Sequence, residues 1–136
     1  MADLNTKRHS ILIVDDDKFL LDMYSIKFSE RGFEVVVALD GEEALEKLDG
    51  GLQPDIFLID ILMPKVDGFA LITKLKERKL EQKAAIIILS NLGQQDDIDK
   101  GLSLGVDGYI IKASATPTEV VDRTAEIADN KLKVHD

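Results

Sequence analysis

Short apolar runs rich in β-branched residues alternate with stretches of helical spacing along the whole chain. Ile11–Val14, Phe33–Ala38, Asp55–Ile59, Ile86–Leu89 and Tyr109–Ile111 have the length and composition of strands. Between and after them, Lys18–Glu30, Glu42–Leu48, Phe69–Arg78, Asp96–Leu104 and Thr118–Lys133 carry amphipathic periodicity, with Gly32, Gly50, Gly51 and Gly105 as stop signals. Asp40-Gly-Glu-Glu43 and Thr116-Pro-Thr-Glu119 read as capping boxes, the second with Pro117 at the first helical position, where a missing N–H costs nothing. Strict alternation predicts an α/β fold: a five-stranded parallel sheet flanked on both faces by five helices, because parallel neighbours need crossover connections and the helices in them cover the sheet. A length of 136 residues, 45% of them hydrophobic, suits one domain spanning 1–136 with its core from about 10 to 131. Residues 1–8 and the tail after Lys133 are expected to fray, and no linker, repeat or low-complexity segment interrupts the rest.

In a parallel sheet all strands end at one edge, and ligands bind there where the strand order reverses. The strand endings are therefore informative. ILIV runs into Asp15 and Asp16, IFLI into Asp60, IIIL into Ser90 and YII into Lys112. Three carboxylates, a hydroxyl and an ammonium are thus expected in one shallow cleft. Neighbouring carboxylates repel one another and are costly to desolvate, so the run Asp15–Asp17 needs water, a cation or a helix N-terminus beside it. Clustered hard oxygens with an aqueous face suit Mg²⁺, which keeps several waters and accepts phosphate oxygens. A lysine at the same edge can pair with a carboxylate or with a phosphoryl oxygen.

Charge and composition narrow the function classes. With 26 acidic against 17 basic residues the net charge is −9, which disfavours nucleic acid and anionic lipid as direct partners. The absence of cysteine removes disulfide and thiolate chemistry, and no apolar stretch is long enough for a membrane span or a signal-peptide core. The cytoplasm is the expected location.

Four motifs in order, Asp15-Asp16, the segment DIFLIDILMPKVDGF with Asp60, Met63, Pro64 and Gly68, then Ser90, and GYIIK ending on Lys112, resemble the response-regulator receiver domain of bacterial two-component signalling. The likeness covers about Ser10 to Lys131. It implies a flavodoxin-like, doubly wound sheet of order 2-1-3-4-5, with Asp60 as phosphoacceptor. It also implies Mg²⁺ held by Asp16 and Asp60, with Asp15 acting through water or as a further ligand and the backbone carbonyl of Leu62 completing the set. Ser90 and Lys112 would contact the phosphoryl oxygens, and Tyr109 would reorient on activation. The implied function is a phosphoacceptor signalling domain, in which phosphoryl transfer from a phosphohistidine switches a protein-interaction face. The domain would assist its own modification without being a turnover enzyme. Its partners would be a sensor histidine kinase or a histidine phosphotransfer protein, and a downstream protein on the face of the fourth helix, fifth strand and fifth helix. The sequence leaves a homodimer open. With no effector sequence after residue 136, a regulator acting through protein contacts is expected, although an excised receiver would read identically.

The resemblance also bears on signal lifetime. In such domains the residues two beyond the phosphoacceptor and two beyond the hydroxyl residue flank the approach of hydrolytic water; here they are Leu62 and Leu92. Neither side chain can orient a water, and Asn91 adds bulk beside Ser90, so slow self-dephosphorylation is expected. One departure from the family is Ala113, where a proline usually follows the lysine through a cis bond. Because cis before a non-proline costs about 2.5–4 kcal/mol, a trans Lys112–Ala113 bond and a different path for Ala113–Ala115 are expected.

Plainer readings stand beside these. Asp17 is expected to cap the first helix, where an acid favours the positive end. On that helix Leu21, Tyr24 and Phe28 form a core stripe, while Phe19, Met23 and Ile26 either widen the buried face or, if exposed, offer a docking surface. His9 and His135 lie near the ends and are assigned no role. A haloacid-dehalogenase-like phosphotransferase would want an acid two residues after its nucleophile, where Leu62 stands. A flavin carrier would want stacking aromatics, and the chain has 2 tyrosines and no tryptophan. A phosphorylation-independent adaptor would not need the full acidic set with Lys112.

Overall fold

The computed structural model describes residues 9–134. The expectations for residues 1–8, for His135 and for the chain beyond Val134 lie outside that range. The strands are β1 (Ser10–Val14), β2 (Glu34–Ala38), β3 (Ile56–Ile59), β4 (Ala85–Ser90) and β5 (Gly108–Ile111). The helices are α1 (Lys18–Glu30), α2 (Gly41–Asp49), α3 (Gly68–Glu77), α4 (Gln95–Ser103) and α5 (Pro117–Val134). All pairings are parallel and the order is β2-β1-β3-β4-β5, as expected. Alternate strand residues enter opposite cores, which is why the strands read as unbroken apolar runs. Leu12, Val14, Phe57, Ile59, Ile86 and Ile88 pack beneath α2 and α3, whereas Ile11, Ile13, Ile56, Leu58, Ile87 and Leu89 pack beneath α1 and α5.

Differences from the sequence reading have local causes. Phe33 precedes β2: its N–H closes the end of α1 on the Phe28 carbonyl, with Gly32 at φ +93°, and its ring stands edge-on to Phe28. Asp55 precedes β3 because its carboxylate accepts from the Ser10 N–H at 3.0 Å, tying two strand starts together. Two 3-10 turns, Leu80–Gln82 and Lys112–Ser114, were not anticipated. The second is the path taken by the chain after Lys112, and no described peptide bond is cis, in line with the expectation for Ala113.

The Thr116–Glu119 box is reciprocal, with Glu119 N–H donating to Thr116 Oγ1 and Thr116 N–H to Glu119 Oε1. The first box is displaced by one residue: Asp40 accepts from Glu43 N–H, but Glu43 accepts from Leu39 N–H. His9, assigned no partner from sequence, is held by Asp129 on α5 at 3.0 Å and lies 4.0 Å from Asp55, contacts invisible in a chain where those residues are far apart.

Candidate functional site

Register places the chemistry. Ile59 lies opposite Val14 and Ile88, so Asp60 leaves β3 beside Asp15 leaving β1, Ser90 is the last residue of β4, and Lys112 follows β5. The Asp60 N–H donates to the Val14 carbonyl and the Asp15 N–H to the Ala38 carbonyl, continuing the ladders through both acids. Gly68 then fixes the loop after β3. A Cβ there would lie 2.3 Å from the Asp60 carbonyl oxygen and 2.7 Å from Ile61 Cα, so only glycine admits this approach.

The three consecutive aspartates have three fates. Asp15 is buried and accepts from Lys112 Nζ at 2.6 Å and from the Asp17 N–H at 2.9 Å. Asp16 is exposed to water. Asp17 caps α1 by accepting from the Leu20 N–H, as expected. Lys112 reaches from Asp15 to Asp60, whose Oδ2 is 3.3 Å away, with only 10% of its side chain exposed. Asp60 is buried, and its Oδ1 accepts from the Ile61 N–H.

Burial pushes the Asp15 carboxyl above its usual range, against the opposing pull of Lys112 and the Asp17 N–H. For Lys112, burial alone would lower the ammonium, but its bond to Asp15 and the field of both carboxylates outweigh it and leave the group raised. The lysine is therefore a firmly held cation. One carboxylate oxygen from each of Asp15, Asp16 and Asp60 lies within 4.8 Å of the others. That spacing and the open Asp16 side fit a hard cation that retains water, as Mg²⁺ does.

The remaining candidates sit around this centre. Ser90 is fully buried, and its Oγ accepts from the Leu92 N–H at 3.3 Å. Tyr109 is half-buried, its hydroxyl donating to the Leu92 carbonyl at 2.6 Å. Leu62 is 60% exposed, Asn91 is exposed, and Leu92 packs half-buried against the core under α3. On α1 the two stripes divide: Leu21, Tyr24 and Phe28 are buried, whereas Phe19 and Ile26 are 76% and 60% exposed and Met23 is half-buried. Sequence reasoning treated Tyr24 as core alone. Burial raises its hydroxyl, and Lys112, Asp15 and Asp60 all act on it, so it lies within the electrostatic reach of the cluster.

Known proteins resemble this chain in sequence and in fold. The family model described as the response regulator receiver domain matches residues 11–124. The DNA-binding dual master transcriptional regulator RpaA of Synechocystis is 34% identical over 117 residues, 86% of this chain and 46% of its own length. The alkaline phosphatase synthesis transcriptional regulatory protein PhoP of Bacillus subtilis is 34% identical over 117 residues, 86% of this chain and 47% of its own. The chain thus spans about half the length of these curated relatives. The receiver domain of a Francisella response regulator superposes with a TM-score of 0.81 at 32% identity, covering 90% of this chain and 98% of that one.

Proposed function

The chain belongs to the response-regulator receiver family, whose members are phosphoacceptor signalling domains, and from that premise we propose that Asp60 is the residue phosphorylated. The observation that carries this reading is Lys112 held between Asp15 and Asp60 at the ends of three strands, with Asp16 open to water. A carboxylate oxygen of Asp60 attacks the phosphorus of a phosphohistidine in line; the O–P bond forms, the P–N bond breaks with its electron pair going to nitrogen, and the imidazole, already protonated at its other ring nitrogen, leaves neutral. Lys112 needs only to lengthen its 3.3 Å contact with Asp60 to meet a phosphoryl oxygen, while its 2.6 Å bond to Asp15 holds it in place. Ser90 supplies a hydroxyl to a second phosphoryl oxygen. Asp15, Asp16 and Asp60 would hold Mg²⁺, with the Leu62 carbonyl as a further ligand, and the ion would neutralise charge on the transferred group.

The exposed stripe of Phe19 and Ile26 begins two residues after the aspartate run, which suits it to receive the donor, a sensor histidine kinase or a phosphotransfer protein, in the cytoplasm. The output surface is α4, β5 and α5, where Tyr109 reports the state of Ser90 to a protein partner rather than to nucleic acid. No described helix is long and apolar enough to cross a membrane. Leu62 and Leu92 leave attacking water unoriented, giving a long-lived phosphoryl group. The decisive experiment is intact-mass spectrometry after incubation with a small phosphodonor and Mg²⁺. Wild type gains one phosphoryl group and Asp60→Asn gains none while keeping its fold; equal labelling of the two removes Asp60 as the acceptor.

A further inference from the structure

The Tyr109 ring rests on α4 at the one place where that helix has no side chain in its way. A Cβ at Gly101 would meet Ile88 Cδ1 at 2.8 Å and the Tyr109 Cδ2 and Cε2 atoms at 3.1 and 3.2 Å. Ile88 is fully buried in β4 and is enclosed by the core. Tyr109 is half-buried at the surface, so relief of such a clash runs outward through the tyrosine. With the ring in that seat, the Tyr109 hydroxyl donates to the Leu92 carbonyl at 2.6 Å. The same residue's N–H donates to Ser90 Oγ at 3.3 Å. Leu92 is thereby held on one side by the buried hydroxyl of the cleft and on the other by an aromatic of the α4–β5 surface.

We infer that Gly101 is a positioning residue: by leaving room for the inward tyrosine it fixes the segment after Ser90, and through it the lifetime of the phosphoryl group. The lifetime clause rests on the reading of Asp60 as acceptor; the seat itself does not.

The test uses Gly101→Ala, Tyr109→Phe, their combination, and Gly101→Ala with Ile88→Val, which removes the Cδ1 atom nearest the new methyl group. Amide hydrogen exchange over residues 91–94 is measured first in unphosphorylated protein. Loss of one neutral hydrogen bond corresponds to about fivefold faster exchange, expected in either single variant. The Gly101→Ala/Tyr109→Phe combination adds nothing further, because both changes break the same bond. Adding Ile88→Val to Gly101→Ala returns exchange toward wild type. The decay of phosphorylated protein, followed by intact mass, shortens or lengthens in the same rank order. Wild-type exchange in Gly101→Ala, or additive effects in the combined variant, overturns the seat. Altered exchange with unchanged decay overturns its link to lifetime. Tyr109→Phe introduces no clash, so it tests the Leu92 bond even if Gly101→Ala folds poorly. Failure of wild type to take up any phosphoryl group counts against Asp60 alone, since the exchange arm still decides the role of Gly101.

Discussion

Replacing Lys112 by methionine keeps most of the apolar stem, one atom shorter, and removes its charge, leaving Asp15 and Asp60 buried without their shared counter-ion. The two carboxylates are 3% and 8% exposed, and the lysine contacts them at 2.6 and 3.3 Å. Removing one partner of a buried pair costs about 3–5 kcal/mol. Asp16 keeps one side of the cluster open to water, which favours the lower end, roughly 3 kcal/mol. For a domain of this size that is a fall in melting temperature of about 10 °C. The assay is urea unfolding of wild type and Lys112→Met with a chelator present, repeated with saturating Mg²⁺. A cation bound only by the folded acid cluster stabilises by mass action. It restores in the variant the positive charge that the lysine supplied, so Mg²⁺ raises the stability of Lys112→Met more than that of wild type. A variant within about 0.5 kcal/mol of wild type in chelator would refute the idea that the lysine neutralises buried charge. An equal Mg²⁺ response in both proteins would refute competition between lysine and metal for one cluster.

Gly68→Ala forces a methyl group against the Asp60 backbone, and it should destabilise by about 3 kcal/mol and slow phosphorylation of the protein that remains folded; unchanged melting and rate would show that the loop yields freely. In Leu62→Asn with Leu92→Glu, polar groups can orient water beside the phosphoacceptor, so decay of the phosphorylated form, followed by mass after donor removal, should quicken about tenfold; decay no faster than wild type means that other residues set the lifetime. Glu119 has its carboxyl lowered by the hydrogen bonds with Thr116. A depressed carboxyl contributes stability above its unfolded value and loses it as pH falls through the folded one. The advantage of wild type over Glu119→Gln in urea midpoint should therefore be present near neutrality and vanish in acid, and an advantage independent of pH would assign the box to shape alone.

Much of this was legible in the linear chain for a physical reason. Apolar runs of strand length separated by helical periods admit a parallel sheet covered on both faces, and in such a sheet Asp15, Asp16, Asp60, Ser90 and Lys112 share an edge whatever the details of packing. Asp17 was legible as a cap because capping is local. Only the tertiary structure buried Asp15 and left Asp16 in water, since that depends on which carboxylate lies within reach of a lysine 97 positions away. Only the tertiary structure exposed Phe19 and Ile26, because helical periodicity cannot say whether a second apolar stripe meets another element. The seat of Tyr109 on Gly101 and the partners of His9 are likewise contacts between distant segments. Local propensities write the elements and their order; the identity of a side chain's neighbour is set by how sheet and helices close on one another, to within fractions of an ångström that no single segment encodes.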